Sequence, residues 1–303
     1  MAAFSELVKR NMRIYLRDKW AVFFSLLAML IVILLMVLFL GDMNISAITD
    51  MLGQLPHRDK EQDEKNAELL VLQWTLAGVI SINAVSVTLS VLTAMIRDKN
   101  NGTLQSIYTS PVSRLSIALS YICASWICSI IICTLTLVLS EIYCVYMGAA
   151  AFSAVQHLQL FGMICVNSFT YACIMYFLAA IVKSEGAWSG LGTIIGTLVG
   201  FLGGIYLPIG SLAEGIANVL KCTPILYGTV MFRRIMTEQA GDVCFENAPA
   251  EMQDTYNEVM GVSLEAFGYD VNIAGCLAIL AVCGGAFLLI GGFATKFISR
   301  KDR

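Results

Sequence analysis

The sequence predicts an all-α membrane protein with six transmembrane helices. Three observations carry this. First, 58% of its 303 residues are hydrophobic and 14% are charged, against roughly 45–50% and roughly 25% in soluble domains. Mean hydropathy is +0.76. Second, apolar runs recur at about the 20-residue length that crosses a ~30 Å hydrocarbon layer. Third, the basic residues concentrate in alternate connecting segments.

Taken in order, the runs are Trp20–Leu40, Leu69–Ile96, Leu115–Met147, Leu158–Val182, Ala187–Leu207 and Val271–Phe293. The first is too long for a signal-peptide core, and no clear small-residue cleavage site follows it. It is therefore read as a span. With both termini placed in the cytoplasm, 13 of the 19 Lys and Arg residues fall inside. Acidic residues then dominate the outside segments. The expected location is a bacterial cytoplasmic membrane, with a single domain over residues 1–303.

Before the first run, residues 1–19 are amphipathic. Phe4, Leu7, Val8 and Tyr15 oppose Lys9, Arg10, Arg13 and Arg17. This pattern suits a helix lying on the inner leaflet; the alternative is a plain basic flank. Residues 42–68 carry the charge run 57–65 and read as a solvated loop.

The polar insert at residues 97–114, RDKNNGTLQSIYTSPVSR, separates the second and third runs. Leu104, Ile107 and Tyr108 lie at i, i+3 and i+4, so they share one face of a short helix. Ser110-Pro111 is expected to end it and to cap the next helix. Such a helix at a membrane surface offers a soluble partner a place to push.

In the second run, Asn83, Ser86, Ser90 and Thr93 fall on one face. They either line a polar route or bond between helices. Glu141, in the third run, is either a functional intramembrane charge or a side chain reaching the interface. In the fifth run, Gly192, Gly196, Gly200 and Gly204 form three GxxxG steps. They permit close approach of another helix, in a dimer or within one subunit. Phe201 and Tyr206 add aromatic surface. Pro208 and Pro224 bracket a segment containing Glu214. Residues 208–270 follow as an external hairpin and acidic loop, with a short helix from Pro249 to Met260 closed by Gly261. Neither outside segment alone is long enough for a core of its own.

Most of the ten cysteines lie in apolar runs without ligand spacing, as small buried side chains do. Cys222 and Cys244 could both face outward, but their spacing does not establish a pair. No G-x-x-x-x-G-K-[ST] loop and no HExxH site occurs, so nothing in the chain cradles ATP or binds catalytic zinc. No catalytic constellation and no nucleic-acid feature emerges. Few intramembrane charges and no clear inverted repeat argue against a secondary transporter or channel built on Glu141.

The segments Gly102-Thr103-Leu104-Gln105 with Ser110-Pro111-Val112-Ser113-Arg114, and Gly203 to Ile209 with Pro224 and Tyr227, together resemble type-2 ABC exporter permeases. Asn100, Asn101 and Gln105 stand where that family commonly carries acidic residues. The resemblance implies a permease subunit with a coupling helix between spans 2 and 3 and a re-entrant hairpin after span 5. It implies that spans 2 and 5 face the pathway. An ABC ATPase, in two copies, would dock on Thr103, Leu104, Ile107, Tyr108 and Arg114 and hold the ATP and Mg. This chain would bind no cofactor. A second permease copy or a paralogue would complete the transporter within membrane lipid. Pro208, Glu214 and Pro224 would form the outer gate. The implied cargo is hydrophobic or amphipathic: a drug, a peptide or a lipid-like molecule.

Overall fold

The computed structural model describes residues 2–35, 41–266 and 268–301. Its helices are α1 (Ala2–Arg17), α2 (Lys19–Leu35), α3 (Gly41–Leu52), α4 (Lys60–Asn100), α5 (Thr103–Tyr108), α6 (Arg114–Tyr146) and α7 (Ala154–Ile181). They continue with α8 (Glu185–Leu202), α9 (Glu214–Lys221), α10 (Pro224–Met236), α11 (Glu238–Cys244), α12 (Ala250–Val259) and α13 (Ile273–Lys301). A two-residue hairpin pairs β1 (Glu265–Ala266) with β2 (Tyr269–Asp270), antiparallel.

Among the described residues, four helices are long and apolar enough to cross a membrane: α4, α6, α7 and the stretch Ile273–Phe293 of α13. The first expected span appears as α2, and its last residues, 36–40, lie outside the described set. The fifth is shorter than expected. α8 stops at Leu202, capped by Gly203, and Gly204 turns the chain with φ +62°. Two adjacent glycines weaken a helix, and the second supplies the left-handed conformation that ends it.

α4 is the axis of the molecule. Its 41 residues extend ~60 Å at ~1.5 Å each, about twice the hydrocarbon thickness. Asp59 caps its first turn, accepting from the Glu61 and Gln62 N–H groups. Around it pack α6, α7, α10 and α8, with α13 against α7. Trp74, Leu76, Ile80, Leu92 and Ile96 of α4 are fully buried. α1 and α5 sit at one end of the bundle, the near end; α3, α11 and α12 sit at the far end.

The far end departs from the sequence reading. Residues 42–68 are not a loop: they form α3 and the first turns of α4. α3 packs on α4, and Ile48, Leu52, Leu70, Trp74, Cys244, Phe245, Tyr256 and Met260 make a second core. Each of these two segments is too short alone, but they share one apolar interior. Arg58 fastens them, pairing with Asp63 at 2.7 Å while donating to the Cys244 and Glu246 carbonyls. Cys222 is exposed and Cys244 buried, both as free thiols.

α1 is a helix of its own, separated from α2 at Asp18, whose carboxylate accepts from the Ala21 N–H. Part of its apolar face packs on the bundle. Val8, Asn11 and Tyr15, at i, i+3 and i+7, are buried, and α1 packs against α6 and α4.

Candidate coupling site

The near end is organised by the last turn of α4. Asp98 is buried there, at a helix C-terminus, where the macrodipole disfavours a carboxylate. Its partners offset this. Arg10 of α1 grips it with both guanidinium nitrogens, at 2.7 and 2.8 Å, and the Tyr121 hydroxyl of α6 donates at 2.6 Å. The hydrogen bond to Asp98 raises the Arg10 guanidinium above its ordinary value. Beside this cluster, Asn11 donates to Ser120 Oγ at 3.4 Å.

The next two residues tie α4 elsewhere. Lys99 Nζ donates to the carbonyls of Ala179, Ala180 and Val182, at 2.6, 3.0 and 3.2 Å. A cation thereby closes the C-terminus of α7. Asn100, with its amide turned to satisfy both neighbours, donates to the Lys183 carbonyl and accepts from the Glu185 N–H. Three consecutive residues thus bind the end of α4 to α1, α6, α7 and the α7–α8 link.

From this anchored end the chain turns at Gly102, φ +73°, into α5. The apolar stripe of α5 faces its own core. Leu104 is buried, and Ile107 and Tyr108 are half-buried against the same interior. A surface helix directs such a stripe inward. Thr103 is half-buried, while Gln105 and Ser106 form the exposed face. Arg114 lies over the Tyr108 ring at 5.2 Å, bracing α5 to the start of α6. Within α5, Leu104 is covered, Ile107 and Tyr108 keep part of their surface, and Gln105 and Ser106 are fully exposed.

Ser110-Pro111 does not cap the following helix either. The Ser110 hydroxyl donates back to the Ile107 carbonyl. The N-cap of α6 is Ser113, in extended geometry, whose oxygen accepts from the Ser116 N–H at 3.1 Å.

Along α4, Ser86, Ser90 and Thr93 are half-buried on the side toward α8. Trp188 of α8 donates its indole N–H to Thr93 Oγ1 at 3.0 Å. Asn83 leaves that row. It is 1% exposed and donates to Thr136 of α6 at 3.0 Å, as a buried amide requires. The remaining surface of α8 is largely exposed, with only Trp188, Val199 and Gly200 buried.

The four glycines have different surroundings within the protomer. A Cβ on Gly192 would lie 3.2 Å from Leu89, one on Gly196 would meet nothing within 4 Å, and Gly200 lies under the Tyr206 ring. Gly204 belongs to the turn. Phe201 is exposed and meets Tyr206 edge-to-face at 5.0 Å.

Beyond that turn, Pro208 is buried, Glu214 exposed and Pro224 half-buried at the first position of α10. The hairpin they were expected to frame consists of a 3-10 turn, Ile209–Ser211, and α9. Behind it lies a group not anticipated from the sequence. Arg233 of α10 is fully buried, donating to the Gly204 and Met260 carbonyls at 2.8 and 3.1 Å. Its guanidinium stacks 3.9 Å from the Trp74 ring centroid, and Trp74 also donates to Met260. Burial pushes the guanidinium down to about 9; a guanidinium keeps its proton in proteins. Glu141 is engaged at the far end, accepting from the Phe152 N–H at 3.0 Å and lying 2.8 Å from His157 Nε2. It is neither a lone mid-span charge nor a free side chain at the interface.

Asp98 and Arg233 carried signals that the sequence reading passed over. An acid in the last turn of a helix, and an arginine among apolar residues of a segment otherwise acidic, each require a buried partner.

Compared with known proteins, residues 47–293 match the family described as ABC-2 family transporter protein. No curated protein matches the chain.

Proposed function

The chain belongs to the ABC-2 transporter family, and on that premise we propose that it is the permease subunit of an ATP-driven exporter, docked through α5 by a separate ATPase. The carrying observation is the anchoring of α5. It follows an α4 terminus tied by Asp98, Lys99 and Asn100 to four other elements, and it leaves Gln105 and Ser106 exposed. A push on such a helix moves α4, α1 and the α7–α8 link together, because charge-assisted contacts resist separation.

The near end is cytoplasmic in this reading, as the basic residues of α1 and the 97–114 segment support. Two ATPase copies hold ATP and Mg and perform the hydrolysis; this chain contributes no group to it. A second permease copy or a paralogue faces the exposed side of α8. Ser86, Ser90 and Thr93 with Phe201 and Tyr206 line the route between them. Hydroxyls and aromatics on apolar helices suit an amphipathic cargo. Pro208, Glu214 and Pro224 lie in the segment that closes the route on the outer side.

The test is to tag the chain, extract it gently from native membranes and identify what co-purifies. A stoichiometric soluble ABC-type ATPase is expected, and Gln105→Arg combined with Ser106→Trp should remove it while membrane insertion persists. A chain that purifies without an ATPase, yet moves solute in liposomes, would overturn the reading in favour of a gradient-driven carrier.

A further inference from the structure

The cations of the near end divide by what they touch. Lys9 pairs with Glu6 at 3.0 Å, Arg10 with Asp98, Lys99 with the last carbonyls of α7, and Arg114 lies over Tyr108. Arg13, Arg17 and Lys19 are exposed and form no ion pair among the described residues. Arg13 stands two positions from both Asn11 and Tyr15, which are buried against the bundle. Two positions are more than half a turn, so Arg13 lies on the opposite side of α1. Arg17 follows four residues later on that same side, and Lys19 opens α2.

The neighbouring acids do not answer these charges. Glu6 is held by Lys9. Asp18 accepts from the Ala21 N–H at 3.1 Å, in the manner of an N-cap, so its carboxylate serves the positive end of α2. Directly beyond lies an aromatic cluster. Trp20 is 70% exposed, Phe23 and Phe24 are exposed too, and the three rings meet at centroid distances of 6.0, 6.0 and 5.6 Å. Aromatic rings at the start of an apolar span settle at headgroup level. The elbow that carries cations and rings is itself held. Tyr15 Oη lies 3.0 Å from Ser25 Oγ across it, and Ser25 donates to the Ala21 carbonyl.

A soluble acidic partner would meet the cations but leave the rings uncovered. A neutral lipid would cover the rings but leave the charge unanswered. An anionic phospholipid does both, with phosphate for the cations and acyl chain for the rings. We propose that the α1–α2 elbow is a binding site for the headgroup of an anionic phospholipid, held by Arg13, Arg17 and Lys19 with Trp20 and Phe24 against its chains. A basic residue beside an anionic surface favours it about fivefold, so three together predict an enrichment of roughly tenfold or more. The proposal rests on α2 entering the bilayer at Trp20, and not on an ATPase docking at α5.

The test places the full chain in phosphatidylcholine nanodiscs containing a small, equal fraction of brominated phosphatidylglycerol or brominated phosphatidylcholine. Quenching of Trp20 is read as the difference between the natural chain and Trp20→Phe, which keeps a ring and subtracts the signals of Trp74, Trp126 and Trp188. Stronger quenching by brominated phosphatidylglycerol is expected, persisting in excess inorganic phosphate. The preference should vanish when Arg13→Gln, Arg17→Gln and Lys19→Gln are combined. Each single change should remove part of it, which keeps the site testable if the combined variant does not fold. Equal quenching by the two lipids overturns the proposal, and quenching by neither shows that Trp20 does not meet lipid and overturns it too. A preference abolished by inorganic phosphate would mean a site for free phosphate rather than lipid. A preference retained in every variant would mean that the lipid is selected elsewhere; either result overturns the assignment to the elbow.

Discussion

Arg233 joins three parts of the chain that lie far apart in sequence: Trp74 on α4, Gly204 in the turn after α8 and Met260 after α12. All its described partners are neutral. The planar fork is what makes this possible, because it donates in two directions while its face lies on the indole. Lysine has no such plane. Arg233→Lys should destabilise the protein by about 2–4 kcal/mol, the scale of a buried charge deprived of its bonds. Arg233→Met should cost less, because it removes the buried charge and retains apolar bulk; the Met260 carbonyl keeps the Trp74 indole as donor, and only the Gly204 carbonyl loses its partner. Denaturant unfolding of the two variants checks the order; a lysine variant as stable as the natural chain would remove the three-way role. These residues were visible in the sequence only as types. The rule that a buried charge needs partners identifies Arg233 and Asp98 as questions, but only the fold supplies Trp74, Arg10 and Tyr121 as answers.

Helix periodicity located the long elements well, because their apolar lengths exceed those of ordinary surface helices. It does not decide where two explanations share one pattern. The i, i+3, i+4 stripe of α5 reads equally as a docking face or as a packing face, and Leu104 lies inward. Ser110 and Ser113 are both plausible caps, and only Ser113 has the extended geometry and the N–H within reach. Glycine spacing did not point to every close approach. At Gly228 of α10, a Cβ would fall 2.5 Å from Asn167 Oδ1 and 2.9 Å from Ser81 Oγ. The Asn167 and Ser81 side chains therefore occupy the space a Cβ on α10 would need. Gly228→Ala should destabilise the fold by about 1–3 kcal/mol through overpacking, read as a lower Tm of the purified chain. An unchanged Tm would mean that α10 is free to shift.

For the whole molecule, the decisive asymmetry is between α4, buried on nearly every side, and α8, exposed along most of its length. A helix this apolar with so little protein around it faces either lipid or another copy. Its exposed surface carries the hydroxyls of Ser189, Thr193 and Thr197; Thr193 and Thr197 bond back to their own helix and so tolerate both surroundings. Small residues there allow close helix contact, and Gly196 is the sharpest probe because nothing within its protomer approaches it. Gly196→Leu should leave the monomer as stable as before, or slightly more so, since leucine favours a helix by roughly 0.8 kcal/mol over glycine. If α8 meets a second copy, the same change should shift the purified chain from dimer to monomer, read as mass by light scattering in a matched detergent. A dimer that survives the substitution would move the interface off this part of α8, and with it the expectation that the route runs between Thr93 and Phe201. The coupling argument at the near end would stand in either case, since it depends on how α5 is anchored and not on which helix faces the partner copy.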